Sequence, residues 1–228
     1  MTLLTSTSHT RPARPTGWVP FALVALVVIP AVAGSLRLLE LAGGPLLLPA
    51  NPRMTASPVP VFVHVLSAVP YSVLGAFQFS SRLRRRHPRW HRSTGRVVVA
   101  LGLVVALSGL WMTLFYARQP GTGELAFLFR LTFGSALAIC IVLGLSAIRR
   151  GDVPTHQAWM TRAYAIALAA ATQTFTLGVG PALFGPGTLT KDLSLGAAWL
   201  VNLAIAEVVI HRYARPEASA AFTVGRTP

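Results

Sequence analysis

The 228-residue sequence contains very little acid and almost no lysine. Six acidic side chains stand against twenty basic ones, Lys191 is the only lysine, and the formal net charge is +14. Charged residues make up 11% of the chain, against roughly 25% of an ordinary soluble domain. This scarcity argues against a soluble globular protein. The single cysteine, Cys140, excludes a disulfide bond within the chain.

Long hydrophobic runs account for the low content of charged residues. A helix needs about 20 apolar residues to cross a hydrocarbon layer of about 30 Å. Six runs reach or approach that length: 18–36, 59–80, 97–117, 125–148, 159–183 and 195–210. No alternation of polar and apolar residues competes with them. The sequence therefore predicts an all-α, polytopic transmembrane helix bundle of about six spans.

The ends of the chain differ in composition from its middle. Residues 17–213 form the predicted transmembrane bundle, residues 1–16 precede it, and the polar, small-residue-rich segment 214–228 is expected to be a disordered tail. Arg11 and Arg14 before the first run, with small residues at 31–33 after it, also resemble a signal peptide and its cleavage site. Retention of the first span is favoured, because the uncharged run from Gly17 to Leu36 is long for a signal core.

Basic residues are distributed unevenly between the two ends of the predicted bundle. Fifteen of the twenty fall at the end that carries both termini. Lys and Arg collect on the cytoplasmic side of membrane proteins, so we predict a multi-pass plasma-membrane protein with both termini in the cytoplasm. Seven arginines between Arg82 and Arg96 could also suggest nucleic acid. Orientation explains them without it, and we expect this segment to contact anionic lipid headgroups.

Polar residues within the runs are candidate functional positions, because they are costly in a bilayer. In the second run they share one helical face: His64, Ser67, Tyr71, Gly75 and Gln78. This stripe either lines a cleft or packs against a neighbouring helix, and packing is slightly favoured. The third run carries glycine at every seventh position, Gly95, Gly102 and Gly109, which predicts a seam of close helix packing.

A second group of residues shares a depth in the bilayer half away from the termini. His64, Met112, Arg130 and, less clearly, Asn202 each fall roughly 7 to 11 Å from the end of their helix at 1.5 Å per residue. Arg130 either pairs with a carboxylate or haem propionate inside the bundle or extends to the headgroups, and the two are weighted equally. We predict that His64 and Arg130 belong to an outer site for a second haem, a quinone or another reductant.

Histidines gather at the end that carries the termini. His91 lies four residues after His87, His156 opens the fifth run, and His211 closes the sixth. Haem iron in a bundle takes two axial ligands from different helices, with arginines available for the propionates. We therefore predict a b-type haem whose iron is held by His91 and His156, supported by Arg92, Arg96 and Arg162. The alternative ligands are His87 and His211.

The sequence leaves two hypotheses about function open. The first is a redox membrane protein that transfers electrons through such a haem. The second is a non-enzymatic membrane carrier or assembly protein, in which the same histidines and arginines order the loops and contact anionic lipid. Polar residues in a membrane mark sites without naming their chemistry, so the pattern does not decide between the two.

Two segments are similar to a known family. They are His91-Arg92-Ser93-Thr94-Gly95-Arg96 and His156-Gln157-Ala158-Trp159-Met160-Thr161-Arg162-Ala163-Tyr164. Together with His64 and the segment 75–79, they resemble the bacterial predicted membrane proteins of the domain of unknown function 2306 family, over residues 59–180. The pair Ser93-Thr94 replaces a more apolar pair. The resemblance implies a membrane-protein fold and a set of shared polar positions, and it implies no activity.

Overall fold

The computed structural model describes residues 17–224, with side chains to residue 212. Over this part the chain forms nine helices and no strand: α1 Val19–Leu41, α2 Pro52–Ala56, α3 Val59–Gln78, α4 Ser81–Arg86, α5 Pro88–Phe115, α6 Glu124–Arg149, α7 Val153–Ala167, α8 Ala169–Phe184 and α9 Thr188–Val224. The prediction of an all-α protein is confirmed.

Five of these helices are long and apolar enough to cross a membrane, namely α1, α3, α5, α6 and residues 188–212 of α9. Helices α7 and α8 are bent by 43° relative to each other and together make a sixth candidate span. Large apolar side chains such as Phe21, Leu66 and Leu200 are exposed along these helices, as expected of a surface that faces lipid tails. The predicted bundle of about six spans is confirmed.

The end of the bundle that holds α4 and the first turns of α5 and α7 is called here the arginine-rich end. Its helices begin on local signals: the Ser80 hydroxyl accepts from the Leu83 N–H at 3.2 Å, and the Asp152 carboxylate accepts from the Thr155 N–H at 3.1 Å. Helix α5 begins at Pro88, well before the apolar run at Val97, because proline suits a first helical turn and arginine is a good helix former. Much of the stretch between the second and third hydrophobic runs is therefore helical.

At the other end of the bundle, called here the opposite end, a buried carboxylate organises the connection after α1. Glu40 Oε1 accepts from the backbone N–H groups of Leu47 at 2.6 Å and Leu48 at 2.5 Å. Glu40 Oε2 accepts from Arg37 at 2.6 Å, and Arg37 also donates to the Pro49 carbonyl. The proline-rich connection between α1 and α3 is thus held in one shape and includes the short helix α2.

The glycines of α5 pack against the polar stripe of α3, which runs antiparallel to it. A Cβ atom built on Gly102 would lie 2.6 Å from the Tyr71 ring, and one built on Gly109 would lie 3.5 Å from the His64 ring. Gly95 faces Gln78 in the same way, at 3.5 Å. The two features that the sequence predicts separately therefore form one seam, with Tyr71 only 1% exposed at its centre.

The fifth span, expected to be one helix over 159–183, is interrupted at Leu168. In an unbroken helix the Ala165 carbonyl would bond to the amide of Ala169. Here it accepts from Asn202 Nδ2 of α9 at 3.1 Å, and Asn202 Oδ1 accepts from the Thr172 hydroxyl at 2.9 Å. Asn202 thus supports the bend by satisfying a carbonyl in the middle of the membrane.

The predictions about the two chain ends concern residues at or beyond the limits of the part that the structure describes. Residues 1–16, which include the predicted cytoplasmic segment and part of the signal-like pattern, lie outside it, as do residues 225–228. Helix α9 continues as backbone to Val224. The tail at 214–228 and the position of both termini in the cytoplasm stay predictions.

Candidate functional site

A cavity of about 410 Å³ occupies the half of the bundle nearer the opposite end. It reaches from Tyr116 and Arg118 down to Val105 and Leu137, a depth of about 15 Å at 1.5 Å per residue. Its volume falls within the range of about 300 to 1,000 Å³ that is typical of small-molecule sites. This cavity is therefore the candidate ligand-binding site in this half of the molecule.

His64 lies on the wall of this cavity, and its protonation pattern follows from its neighbours. Its Nδ1 atom is 3.0 Å from the Ser108 hydroxyl. That hydroxyl donates its own proton to the Val104 carbonyl at 2.6 Å, so it accepts from His64. Nδ1 therefore carries the proton of the neutral ring, and Nε2 is left with a free lone pair.

Two arginines line the upper part of the cavity without a carboxylate partner. Arg130 donates to the amide oxygen of Gln119 at 3.0 Å, and Arg53 donates to that of Asn51 at 3.1 Å. Among the residues whose side chains are described, neither has a carboxylate oxygen within 4 Å. Arg118, at the mouth of the same cavity, does form an ion pair with Glu124. Burial lowers the pKa of Arg53, which reflects a guanidinium partly removed from water.

The deep part of the cavity is mostly apolar and borders the bend between α7 and α8, although Tyr71 and Ser72 of α3 also line it. Phe133 and Trp199 stack there with ring centroids 4.9 Å apart. Ala167, Leu168 and Ala171 of the bend line the same space. The cavity therefore has a polar, cationic upper part and an apolar floor, a division that suits an amphipathic molecule.

Helical depth, counted from the sequence, groups most of these cavity-lining residues correctly. His64, Met112 and Arg130 line one cavity, and Arg130 faces the interior of the bundle. Asn202 does not line it, because its amide is used at the bend. Arg53 was missed, since it lies in the connection before α3 and no depth can be assigned to a loop residue from helical rise.

At the arginine-rich end, His156 is oriented by a backbone carbonyl. Its Nδ1 atom lies 2.8 Å from the Gly144 carbonyl oxygen of α6. A carbonyl only accepts, so Nδ1 carries the proton and Nε2 is free to bind a metal. His91 is half-buried in the first turn of α5.

The arginine predicted to assist these histidines already has a carboxylate partner. Arg162 forms two hydrogen bonds with Glu207, at 2.6 and 2.8 Å, and its guanidinium lies 4.9 Å from the centre of the Trp159 ring. Arg92 and Arg96 are exposed. The alternatives His87 and His211 are exposed too, and His211 lies 3.9 Å from Glu207.

The sequence did not identify one buried hydrogen-bond donor at this end as a candidate functional group. Gln78 Nε2, next to Gly95, is buried and has no hydrogen-bond partner among the residues that the structure describes. Over the described residues, no three His, Cys, Asp or Glu side chains come together in a group that could hold a metal ion. A site at His91 and His156 would therefore rest on two histidines, as a haem site does.

Comparison with known proteins identifies a family. No curated protein and no solved structure shows significant similarity to the chain. The family described as "Predicted membrane protein (DUF2306)" matches residues 61–210. That stretch extends beyond the expected 59–180 and runs from α3 into the membrane-spanning part of α9, so it includes His64, Arg130 and Trp199. Because the match covers most of the sequence, the chain belongs to the domain of unknown function 2306 family of predicted membrane proteins.

Proposed function

We propose that the protein binds a lipophilic small molecule within the membrane, in the cavity between α3, α5, α6 and the α7–α8 bend. The observation that carries the proposal is the division of a 410 Å³ space into a polar upper part and an apolar floor. Small-molecule sites are mostly apolar, with a few placed polar groups that fix the orientation of the ligand. His64, Arg53 and Arg130 supply such groups.

The bend at Leu168 supports the same proposal independently. Irregular backbone at membrane depth is tolerated where it is buried in protein or lines a cavity. Ala167, Leu168 and Ala171 border the cavity, and Asn202 satisfies the carbonyl at the interruption. In secondary transporters, interrupted helices form the substrate sites, which is the precedent for a ligand beside this bend.

Binding of a neutral fluorescent probe tests the proposal. Aminoanthracene is titrated into the purified full-length protein in lipid nanodiscs and into empty nanodiscs. We expect saturable binding above the empty discs, and a loss of about tenfold in affinity for Ala68→Phe, whose larger side chain occupies part of the cavity.

The matched control is Leu66→Phe, at a lipid-facing position two residues away on the same helix. We expect its affinity to equal that of the wild type. Binding no greater than to empty discs, or equal binding by both variants, would contradict the proposal.

A second candidate function is electron transfer through a b-type haem at the arginine-rich end. The observation that favours it is the hydrogen bond from His156 Nδ1 to the Gly144 carbonyl, which is the outer-sphere contact common for metal-binding histidines. His91 and His156 would be the axial ligands, and Arg92 and Arg96 would take the propionates, since Arg162 is held by Glu207. A bound haem would supply one-electron chemistry, and a quinone in the cavity would be a suitable electron partner.

An absorption spectrum tests the haem. Protein expressed with ample haem should show a Soret band and a reduced α band, both lost in His91→Ala and in His156→Ala. His87→Ala, at an exposed position four residues before His91, is the control and should keep both bands. A wild-type spectrum without these bands would favour the non-enzymatic alternative, for which the Arg162–Glu207 pair is the supporting contact.

The orientation of the protein is part of the same proposal. The arginine-rich end would face the cytoplasm of a plasma membrane, as the excess of basic residues there favours. All seven arginines from Arg82 to Arg96 are exposed, and Trp90 is exposed beside them. Such a surface suits contact with anionic lipid headgroups.

A further inference from the structure

We infer that the ligand of the cavity is a single-chain amphiphile with an anionic head, a carboxylate or a phosphate, held between Arg53 and Arg130. This inference rests on the proposed binding function and specifies its ligand class. It follows from the charges that line the cavity, from the partners those charges have, and from the size of the space.

The two guanidinium groups form no ion pair with any side chain that the structure describes. Arg53 and Arg130 line the same cavity and lie close enough for their positive charges to repel each other. Arg53 donates to the side-chain oxygen of Asn51 and to the Ala117 carbonyl, and Arg130 donates to the side-chain oxygen of Gln119; none of these acceptors carries a charge. Partly buried charges in proteins are normally paired, because an unpaired one costs free energy.

The nearest acid is already committed elsewhere. Asp192 is 2% exposed, and both of its carboxylate oxygens lie 3.0 Å from the backbone N–H of Gly123, which donates to them. It forms no ion pair with Arg130 within 4 Å. The other acids at the opposite end, Glu124 and Glu40, are paired with Arg118 and Arg37. Asp192 therefore offsets the charge of Arg130 only from beyond ion-pair distance. Among the described side chains, the cavity keeps an excess of positive charge that an incoming anion would neutralise.

Arginine is suited to this task by its geometry. Its planar guanidinium presents parallel N–H donors that match a carboxylate or a phosphate. A neutral head, such as a quinone carbonyl, could accept hydrogen bonds but would leave the repulsion between Arg53 and Arg130 in place. The charge balance thus favours an anion over a neutral ligand.

The remainder of the cavity sets the apolar part of the ligand. The floor is formed by aromatic and aliphatic side chains, among them Phe133, Leu137 and Trp199. A volume of 410 Å³ lies toward the lower end of the range of about 300 to 1,000 Å³ for small-molecule sites. It suits one chain or ring system and is small for a two-chain phospholipid.

Binding of an acid and its neutral ester tests the inference. The probes are dansylaminoundecanoic acid and its methyl ester, titrated into the full-length protein in nanodiscs of uncharged lipid, with empty nanodiscs as background. We expect the acid to bind at least about tenfold more tightly than the ester, since a charged hydrogen-bonded pair is typically worth about that factor. Arg53→Gln and Arg130→Gln should each remove most of this preference.

The control variant is Lys191→Gln, which removes one positive charge at the same end but outside the cavity. Lys191 donates to the Pro120 carbonyl and does not line the cavity, so the preference for the acid should persist. Arg130→Lys keeps the charge without the paired donors and should fall between wild type and Arg130→Gln. Arg53 lies in α2 outside the spans, so its variant tests the inference even if Arg130→Gln folds poorly.

Competition identifies the source of the negative charge. Displacement of the bound acid by dodecanoate or by dodecyl phosphate, but not by dodecanol, supports the inference and distinguishes the two heads. Equal binding of acid and ester, unchanged in both arginine variants, overturns the anionic class while leaving the cavity a binding site. Absence of binding by aminoanthracene and by both dansyl probes overturns the proposed function itself.

Discussion

At the scale of single residues, each acidic side chain that the structure describes has a defined structural partner. Glu40 and Asp192 accept from backbone N–H groups, and Asp152 does the same at the start of α7. Glu124 and Glu207 form ion pairs with arginines. The few acids are thus used to fix turns and helix ends. The remaining arginines must find their anions in lipid or in a ligand.

The Asp152 cap gives a prediction about pH. The hydrogen bonds with Thr155 hold the pKa of the Asp152 carboxyl below its ordinary value, so the cap stabilises the fold above about pH 4 and is lost as the pH falls further. We expect the melting temperature of Asp152→Asn to depend less on acid than that of the wild type, because asparagine caps without titrating.

Asp152→Ala separates the cap from the charge. It should lower the melting temperature at neutral pH and show a reduced further loss on acidification. Thermal unfolding followed by tryptophan fluorescence in detergent, at neutral and acidic pH, measures all three proteins. Identical pH profiles for wild type and Asp152→Asn would rule out a stabilising role for this carboxylate.

At the scale of elements, the three equally spaced glycines of the α3–α5 seam differ in how closely neighbouring side chains approach them. A Cβ at Gly102 would lie 2.6 Å from Tyr71 and 2.7 Å from Ile141, both fully buried. We expect Gly102→Ala to destabilise the protein by about 1 to 3 kcal/mol, the usual cost of overpacking a core. The midpoint of unfolding in a denaturant series measures it.

Gly95 and Gly109 provide the matched controls. A Cβ at either would meet its nearest neighbour at 3.5 Å, which is ordinary contact. Alanine at these positions should be neutral or stabilising by up to about 1 kcal/mol, since alanine favours a helix over glycine. Equal destabilisation by all three substitutions would show that the seam does not pack as described.

Much of this architecture could be predicted from the sequence, because the rise and the period of a helix are fixed. Depth alone grouped His64, Met112 and Arg130, and spacing by seven identified the glycine seam. The bend at Leu168 could not be predicted, since alanine and leucine surround it with no proline or glycine nearby. The interruption depends on Asn202, which is distant in sequence. Arg53 lies in a connection whose path is set by tertiary contacts.

At the scale of the whole molecule, the uneven distribution of arginine predicts how the protein sits in its membrane. Single cysteines are introduced in a Cys140→Ala background at two exposed positions, Ser93 in α5 and Thr55 in α2. A membrane-impermeant maleimide applied to intact cells should label Thr55→Cys. It should label Ser93→Cys only after permeabilisation.

The parent Cys140→Ala protein should not react under either condition, which sets the background. The reverse labelling pattern would place the arginine-rich end outside the cell and would contradict the predicted orientation. Labelling of both positions in intact cells would indicate that the chain populates two orientations.

The seam between α3 and α5 also limits how this molecule can move. Three side chains on one helix meet three glycines on the other at matching intervals of seven residues, so the next register that restores any match lies about 10 Å away at 1.5 Å per residue. Sliding by a single turn would move the rings of His64 and Tyr71 away from their glycines and against larger side chains of α5. Sliding of these two helices past each other is therefore disfavoured. We expect the cavity to widen, on ligand arrival or departure, at its other walls: α6, the interrupted fifth span, and α1, whose Val27, Pro30 and Ala31 line the space.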